Sequence, residues 1–261
     1  MDTAARDVIH IRNGSRLFDR DVLVVEAPIE FRIQGVPVAV LMRTPGSDAD
    51  LALGFCLTEG ILLHPGEFAD LAPDGDGDRY AIELAPGVEI DPEQFRRNTY
   101  TTSSCGVCGK ASIDAVRIAA RPAVHGPSMS ATSVCTLPER LRSLQPAFDA
   151  TGGIHAAVIF SGDGEPLSVA EDVGRHNAVD KAIGALALSA WPLAPSVLCV
   201  SGRVSFEIVQ KAAVAGIPMV VGVSAASSLA VELAEELGMT LVGFARGASM
   251  VVYTDPGRII G

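Results

Sequence analysis

Residues 196–254, SVLCVSGRVSFEIVQKAAVAGIPMVVGVSAASSLAVELAEELGMTLVGFARGASMVVYT, decide the fold. Apolar runs of strand length (SVLCVSG, PMVVGVS, TLVGFAR, SMVVYT) alternate with segments whose apolar residues recur at helical spacing (VSFEIVQKAAVAG, SSLAVELAEELG). A strand that is apolar on both sides must be covered on both sides. The alternation therefore implies a parallel or mixed sheet with helices on its two faces.

Working upstream, RHNAVDKAIGALALSA reads as a helix, while IHAAVIF and EPLSVAE read as strands joined by the turn from Gly162 to Gly164. TLPERLRSLQPAFDATG is a helix interrupted or ended near Pro146, where the backbone N–H is lost. The first third differs. DVLVVEAPIEFRIQGVPVAVLMRT gives β-branched runs broken by Ala-Pro and Gln-Gly, expected as antiparallel strands. SDADLALGFCLTEGIL follows as a helix with Ser47 as its N-cap and acidic residues in its first turn. APDGDGDRY is a surface turn, AIELAPGVEI a further hairpin, and FRRNTYTTSSCGVCGKAS a polar loop. The chain is thus expected as a strand-rich N-terminal domain over 1–130, carrying a cysteine loop at 101–110, and an α/β domain over 131–261.

With 48% hydrophobic and 20% charged residues in 261, the chain can bury a proper core. No stretch reaches the roughly 18 uninterrupted apolar residues of a spanning helix. The start, MDTAARDVIH, carries charge where a signal peptide would be apolar, so a cytoplasmic protein off the membrane is expected. A net charge of -11 opposes binding to phosphate backbones, which excludes nucleic acid as the expected partner. Five cysteines, three of them (Cys56, Cys135, Cys199) isolated among apolar residues, do not make a disulfide scaffold.

Cys105-Gly-Val-Cys108-Gly-Lys110 is the most chemical string in the chain. Two thiols separated by two residues can share a metal, form a disulfide, or let one attack a persulfide on the other. Gly106 and Gly109 allow the backbone to bend around the sulfurs, and Lys110 favours thiolate. Sulfur carriage, metal binding and thiol redox all stay open from the residues alone. A structural zinc would need a second ligand pair, and His125 and His155 are not paired in the sequence.

Three turns lie where a strand's carboxyl end meets a helix's amino end: Glu171 to Asn177, Ser201 to Ser205 and Ser224 to Ser228. Unpaired N–H groups there, with Arg175 and Arg203 beside them, suit a phosphate or nucleotide. Ser201 and Ser224 could equally be helix caps, and the two arginines surface charges. The cluster of Asp172, Arg175, His176, Asn177 and Asp180 is the harder to dismiss. Phe244-Ala245-Arg246-Gly247 offers an aromatic face, a cation and a glycine able to hold a purine and its phosphate.

Taken together, these residues resemble the formate dehydrogenase accessory sulfurtransferases of the FdhD/NarQ family. The likeness runs through Leu51 to Gly60, Ser104 to Gly109, Thr151 to His155, Glu171-Asp-Val-Gly-Arg-His-Asn-Ala-Val-Asp-Lys181, Ser201 to Glu207 and Leu241 to Arg246. The resemblance implies a sulfur carrier that takes persulfide sulfur from a cysteine desulfurase. It passes that sulfur to the bis-molybdopterin guanine dinucleotide cofactor, bearing molybdenum or tungsten, that formate dehydrogenase requires. It implies Cys105 as the persulfide carrier with Cys108 as its partner thiol, no tightly bound metal, and a cofactor site at Phe244, Ala245, Arg246, Gly247, Ala248 and Ser249. Ser201, Gly202, Arg203 and His176 join that site, and a guanine nucleotide such as GDP would mimic the ligand.

The resemblance also implies a cytidine deaminase-like three-layer α/β/α domain with a mixed sheet, and the element order agrees. That raises a zinc hydrolase as a rival, beside a zinc-binding or thiol-redox module built on Cys105 and Cys108. Deaminases of this fold carry His-x-Glu and Pro-Cys-x-x-Cys. Here the corresponding places read His176-Asn177-Ala178 and Ser201-Gly202-Arg203, without the catalytic Glu or the thiolates, so hydrolysis is disfavoured. A doubly nucleotide-tailed ligand would match a homodimer.

Overall fold

A computed structural model of the chain describes residues 3–75, 77–91, 122–123 and 125–261. The larger sheet has the order β13-β12-β11-β10-β8-β9, with β8 at His155–Ser161, β9 at Pro166–Asp172 and β10 at Ser196–Val200. It continues through β11 at Met219–Gly222, β12 at Thr240–Arg246 and β13 at Ser249–Thr254. Strands β10, β11 and β12 are parallel, whereas β8 and β13 run antiparallel to their neighbours. The alternation along β10 explains its unbroken apolar run. Leu198 and Val200 enter one core with helices α4 (Arg175–Ala187), α5 (Phe206–Val214) and α6 (Ser228–Glu236). Val197 and Cys199 enter another beneath α2 (Ala131–Ser143). These are the three layers expected.

Helix α2 stops at Leu144, and Pro146 starts the short α3 (Pro146–Thr151), where a proline costs no hydrogen bond. Glu171 on β9 holds that start by accepting from the N–H groups of Ala147 and Phe148, each at 2.9 Å.

The smaller sheet has the order β4-β3-β6-β5, from β3 (Ala27–Ile33), β4 (Val36–Arg43), β5 (Phe68–Pro73) and β6 (Arg79–Leu84). The β3–β4 pair is antiparallel as expected, but β6 joins β3 in parallel. Residues 81–90 do not form the hairpin expected of them. Ala81 to Leu84 finish β6, and the chain then turns without a return strand up to Asp91. Short strands β7 (Met129–Ser130) and β14 (Ile259–Ile260) pair in parallel near the carboxyl terminus. Strands β1 (Thr3–Arg12) and β2 (Ser15–Val24) form a separate two-stranded sheet.

Helix α1 (Asp48–Thr58) lies between the smaller sheet and α4. Ser47 does occupy its cap position, but with φ of 54° and without accepting a side-chain hydrogen bond, so its expected capping role fails. Arg43 is bonded to Asp48 at the head of α1 instead. The helix approaches α4 so closely that a Cβ on Gly54 would overlap the carbonyl of Asp180, and one on Gly184 that of Asp50. Glycine is the only residue that fits either place. Among the described residues, no helix is long and apolar enough to cross a membrane.

Candidate functional site

The carboxyl ends of β9, β10, β11 and β12 emerge on one edge of the larger sheet. Because β8 is antiparallel to β10, its first residue, His155, emerges there too. This edge gathers all three turns singled out in the sequence, with the β12–β13 turn beside them. Val204 bridges to Ala226, and the Ser227 N–H donates to the Val204 carbonyl at 3.0 Å, which joins the α5 entry to the α6 entry. The Phe244 N–H donates to the Ser224 carbonyl at 3.1 Å, adding the end of β12.

Neither Ser201 nor Ser224 caps a helix. The caps are Ser205 and Ser227, and Ser227 accepts from the Ala230 N–H. Ser201 instead clips β10 to β8, accepting from the Ala156 N–H at 2.9 Å and lying 3.5 Å from His155 Nδ1. A side chain at Gly202 would stand 3.4 Å from the His155 ring and 3.6 Å from Arg175, so this glycine keeps the floor between them open. Arg203 is exposed at the rim.

His176, half-buried at the start of α4, lies 3.4 Å from Ser205 Oγ and 3.8 Å from Glu207 Oε2. Burial, then Lys211 and Arg175, push its pKa down to about 4 against the pull of Glu207 and Glu59. Burial and Arg175 also lower His155. Both imidazoles are therefore neutral near neutral pH and able to share hydrogen bonds with an anion that the arginines attract. Glu207 keeps its charge. Burial raises its pKa, but bonds from the Ser205 hydroxyl and its own N–H more than offset that.

The Glu171–Lys181 cluster splits between two jobs. Asp172 is buried and takes Lys181 at 2.7 Å, the Thr44 N–H at 3.0 Å and Asn177 at 3.0 Å. Lys181 also donates to the Thr44 carbonyl, and Asn177 to that of Met42. Asp180 binds Lys211 and Thr58, and Lys211 reaches Glu59, all at 2.8–2.9 Å. These residues bolt the end of β4 and helix α1 to the larger unit. Only Arg175 and His176 of the cluster reach the site.

In the β12–β13 turn, Phe244 has φ of 50° and is 50% exposed, while Arg246, Gly247, Ala248 and Ser249 are exposed. Ala245 points the other way, into the core under α2, so it can offer a ligand only its backbone. Ser249 closes the turn by donating to the Arg246 carbonyl. Cys105 and Cys108 lie outside the described residues. Sequence reasoning misses His155 and Glu207 as site members and reaches Ser205 only as the end of the Ser201-to-Ser205 turn. Their signal was only the segments Thr151 to His155 and Ser201 to Glu207, since nothing local says that the start of an antiparallel strand meets this edge. No group of three or more His, Cys, Asp or Glu side chains placed to hold a metal ion is found among the described residues.

Residues 24–260 match the model of the FdhD/NarQ family. The chain is 51% identical to the sulfur carrier protein FdhD of Streptomyces coelicolor over 98% of this chain and 95% of that relative. It is 50% identical to that of Mycolicibacterium paratuberculosis over 98% of each. A solved structure described as a formate dehydrogenase accessory protein, from Desulfotalea psychrophila, superposes with a TM-score of 0.78 at 22% identity, covering 99% of both chains.

Proposed function

Because the chain belongs to the FdhD/NarQ family, we propose that it is a sulfur carrier serving formate dehydrogenase, with a persulfide on Cys105 as its cargo-bearing state. The observation that carries this reading is near full-length identity to proteins named sulfur carriers, in a chain that holds the string Cys105-Gly-Val-Cys108. The thiolate of Cys105 attacks the terminal sulfur of a cysteine desulfurase persulfide. A new S–S bond forms on Cys105, the donor's S–S bond breaks, and the donor cysteine leaves as thiolate. Cys108 is the partner thiol of the carrier.

The substrate that receives the sulfur is the bis-molybdopterin guanine dinucleotide cofactor, held at the carboxyl edge. Three arginines (Arg175, Arg203, Arg246) and the entries of three helices fit its phosphates. The exposed ring of Phe244 fits a guanine face, and Gly247 leaves the approach open. The main-chain groups of Ala245, Ala248 and Ser249, with Ser201 and Gly202, complete the wall. His176 and His155, being neutral, share hydrogen bonds with the ligand without repelling the cationic side chains around them. The same reading has the protein act in the cytoplasm as a homodimer, two copies answering to two guanine tails.

The test is mass spectrometry of the protein after incubation with a cysteine desulfurase and cysteine. The peptide holding Cys105 gains the mass of one sulfur atom, and Cys105→Ala loses that gain while its thermal melt is unchanged. Equal sulfur loading of the Cys105→Ala variant would sink the assignment.

A further inference from the structure

His176 at the start of α4 turns its Nε2 toward two oxygen atoms at the entry of α5, Ser205 Oγ at 3.4 Å and Glu207 Oε2 at 3.8 Å. Glu207 stands in the first turn of α5, accepts from its own N–H and keeps its charge near neutral pH. A charged carboxylate can only accept, so the single proton of the Ser205 hydroxyl is committed to Glu207. What Ser205 then offers the imidazole is an oxygen lone pair. Both neighbours of Nε2 are therefore acceptors, which attract an N–H and repel a bare nitrogen. Burial, with Lys211 and Arg175 beyond it, keeps the ring neutral, so it carries one proton, and that proton belongs on Nε2. No described residue donates a hydrogen bond to Nδ1, and 15% of the side chain stays open.

From this arrangement we infer that Glu207 is a positioning residue, which fixes the His176 proton on Nε2 so that Nδ1 accepts a hydrogen bond from an N–H group of the ligand. The inference rests on the ligand reading of the proposed function and deepens it. Arg175, Arg203 and Arg246, with the helix entries, are donors, and they suit the oxygen atoms of an anion. A bare imidazole nitrogen does the reverse, repelling a phosphate oxygen and taking a donor. One ligand serves both only if it joins anionic oxygens to a ring bearing N–H groups. Guanine and pterin share such an edge, a ring N–H beside an exocyclic amino group. His176 reads that edge while the arginines hold the anion. A Glu207 that did no more than close the first turn of α5 would leave the imidazole free to carry its proton on either nitrogen.

The test begins on the full chain without ligand or sulfur donor, by nitrogen-15 NMR of the histidine rings at neutral pH. The signals that vanish in His176→Gln assign the ring, and the expected spectrum has Nε2 protonated and Nδ1 bare. Glu207→Gln keeps the shape, but its amide can donate to Nε2, so the proton moves toward Nδ1. Calorimetry with GDP and with pterin-6-carboxylate then reads the ligand. The probe whose edge is recognised binds Glu207→Gln at least about tenfold more weakly than it binds the parent. Loss for GDP names the guanine end of the ligand, and loss for the pterin names the other. Without any variant, the same probe shifts the Nδ1 resonance of the parent while Nε2 stays protonated. A parent ring protonated on Nδ1, a proton that stays on Nε2 in Glu207→Gln, or equal affinities of the two proteins overturns the inference. None of these touches the sulfur-carrier reading, which is tested by the mass gained at Cys105. A parent that binds neither probe overturns the inference together with the guanine ligand.

Discussion

Gly54 of α1 rests on the backbone carbonyl of Asp180 in α4, and the contact leaves no room for a side chain at position 54. The reciprocal contact, Gly184 on the carbonyl of Asp50, fixes the crossing at two points. Backbone meets backbone, and neither side can yield as a flexible side chain would. Gly54→Ala is therefore expected to lower stability by about 1–3 kcal/mol or more through overpacking. A urea unfolding curve with an unchanged midpoint would show that the helices separate freely.

Beside this crossing, Lys211 holds two carboxylates, Asp180 and Glu59, each at 2.9 Å. Burial pulls its pKa down, but the two carboxylates reverse this and leave it raised and charged. Lys211→Met strands the buried Asp180 and is expected to cost about 3–5 kcal/mol. Adding Asp180→Leu to it removes the stranded charge and should recover part of that loss. Additive losses in equilibrium unfolding would mean that the pair is not coupled.

The depressed pKa of His176 has a defined acid signature. Its value falls from 6.5 to about 4 on folding, so the unfolded chain binds more protons between those limits and stability rises with pH there. The contribution is fully present above 6.5 and is lost as pH falls toward about 4. His176→Gln should flatten the dependence of the melting temperature on pH within that window. An equally steep fall in the variant would assign the acid sensitivity to other groups.

At the ligand edge, Arg246→Ala is expected to weaken guanine nucleotide binding about tenfold, the loss of one charge-assisted hydrogen bond. Because Arg246 is exposed, the melting temperature should stay put. Unchanged affinity by calorimetry would remove Arg246 from the site.

The sequence by itself determined the three layers around the larger sheet, because a strand buried on both faces and a helix buried on one leave periodicities that depend on local order alone. It also marked the turns at the carboxyl edge, since small residues and arginines after an apolar run are visible in the chain. It could not tell which members of the Glu171–Lys181 string face a ligand. Asp172, Asn177 and Asp180 look as polar as Arg175 and His176, yet the first three are buried against Thr44, Met42, Thr58 and Lys211. These partners lie 31–135 positions away in the chain, and no local signal names a partner at that distance. The tertiary structure alone decided that division, and it alone brought His155 to the edge through an antiparallel strand. It also set Nε2 of His176 against Ser205 and Glu207, because which nitrogen of an imidazole meets an acceptor depends on what stands next to it in space.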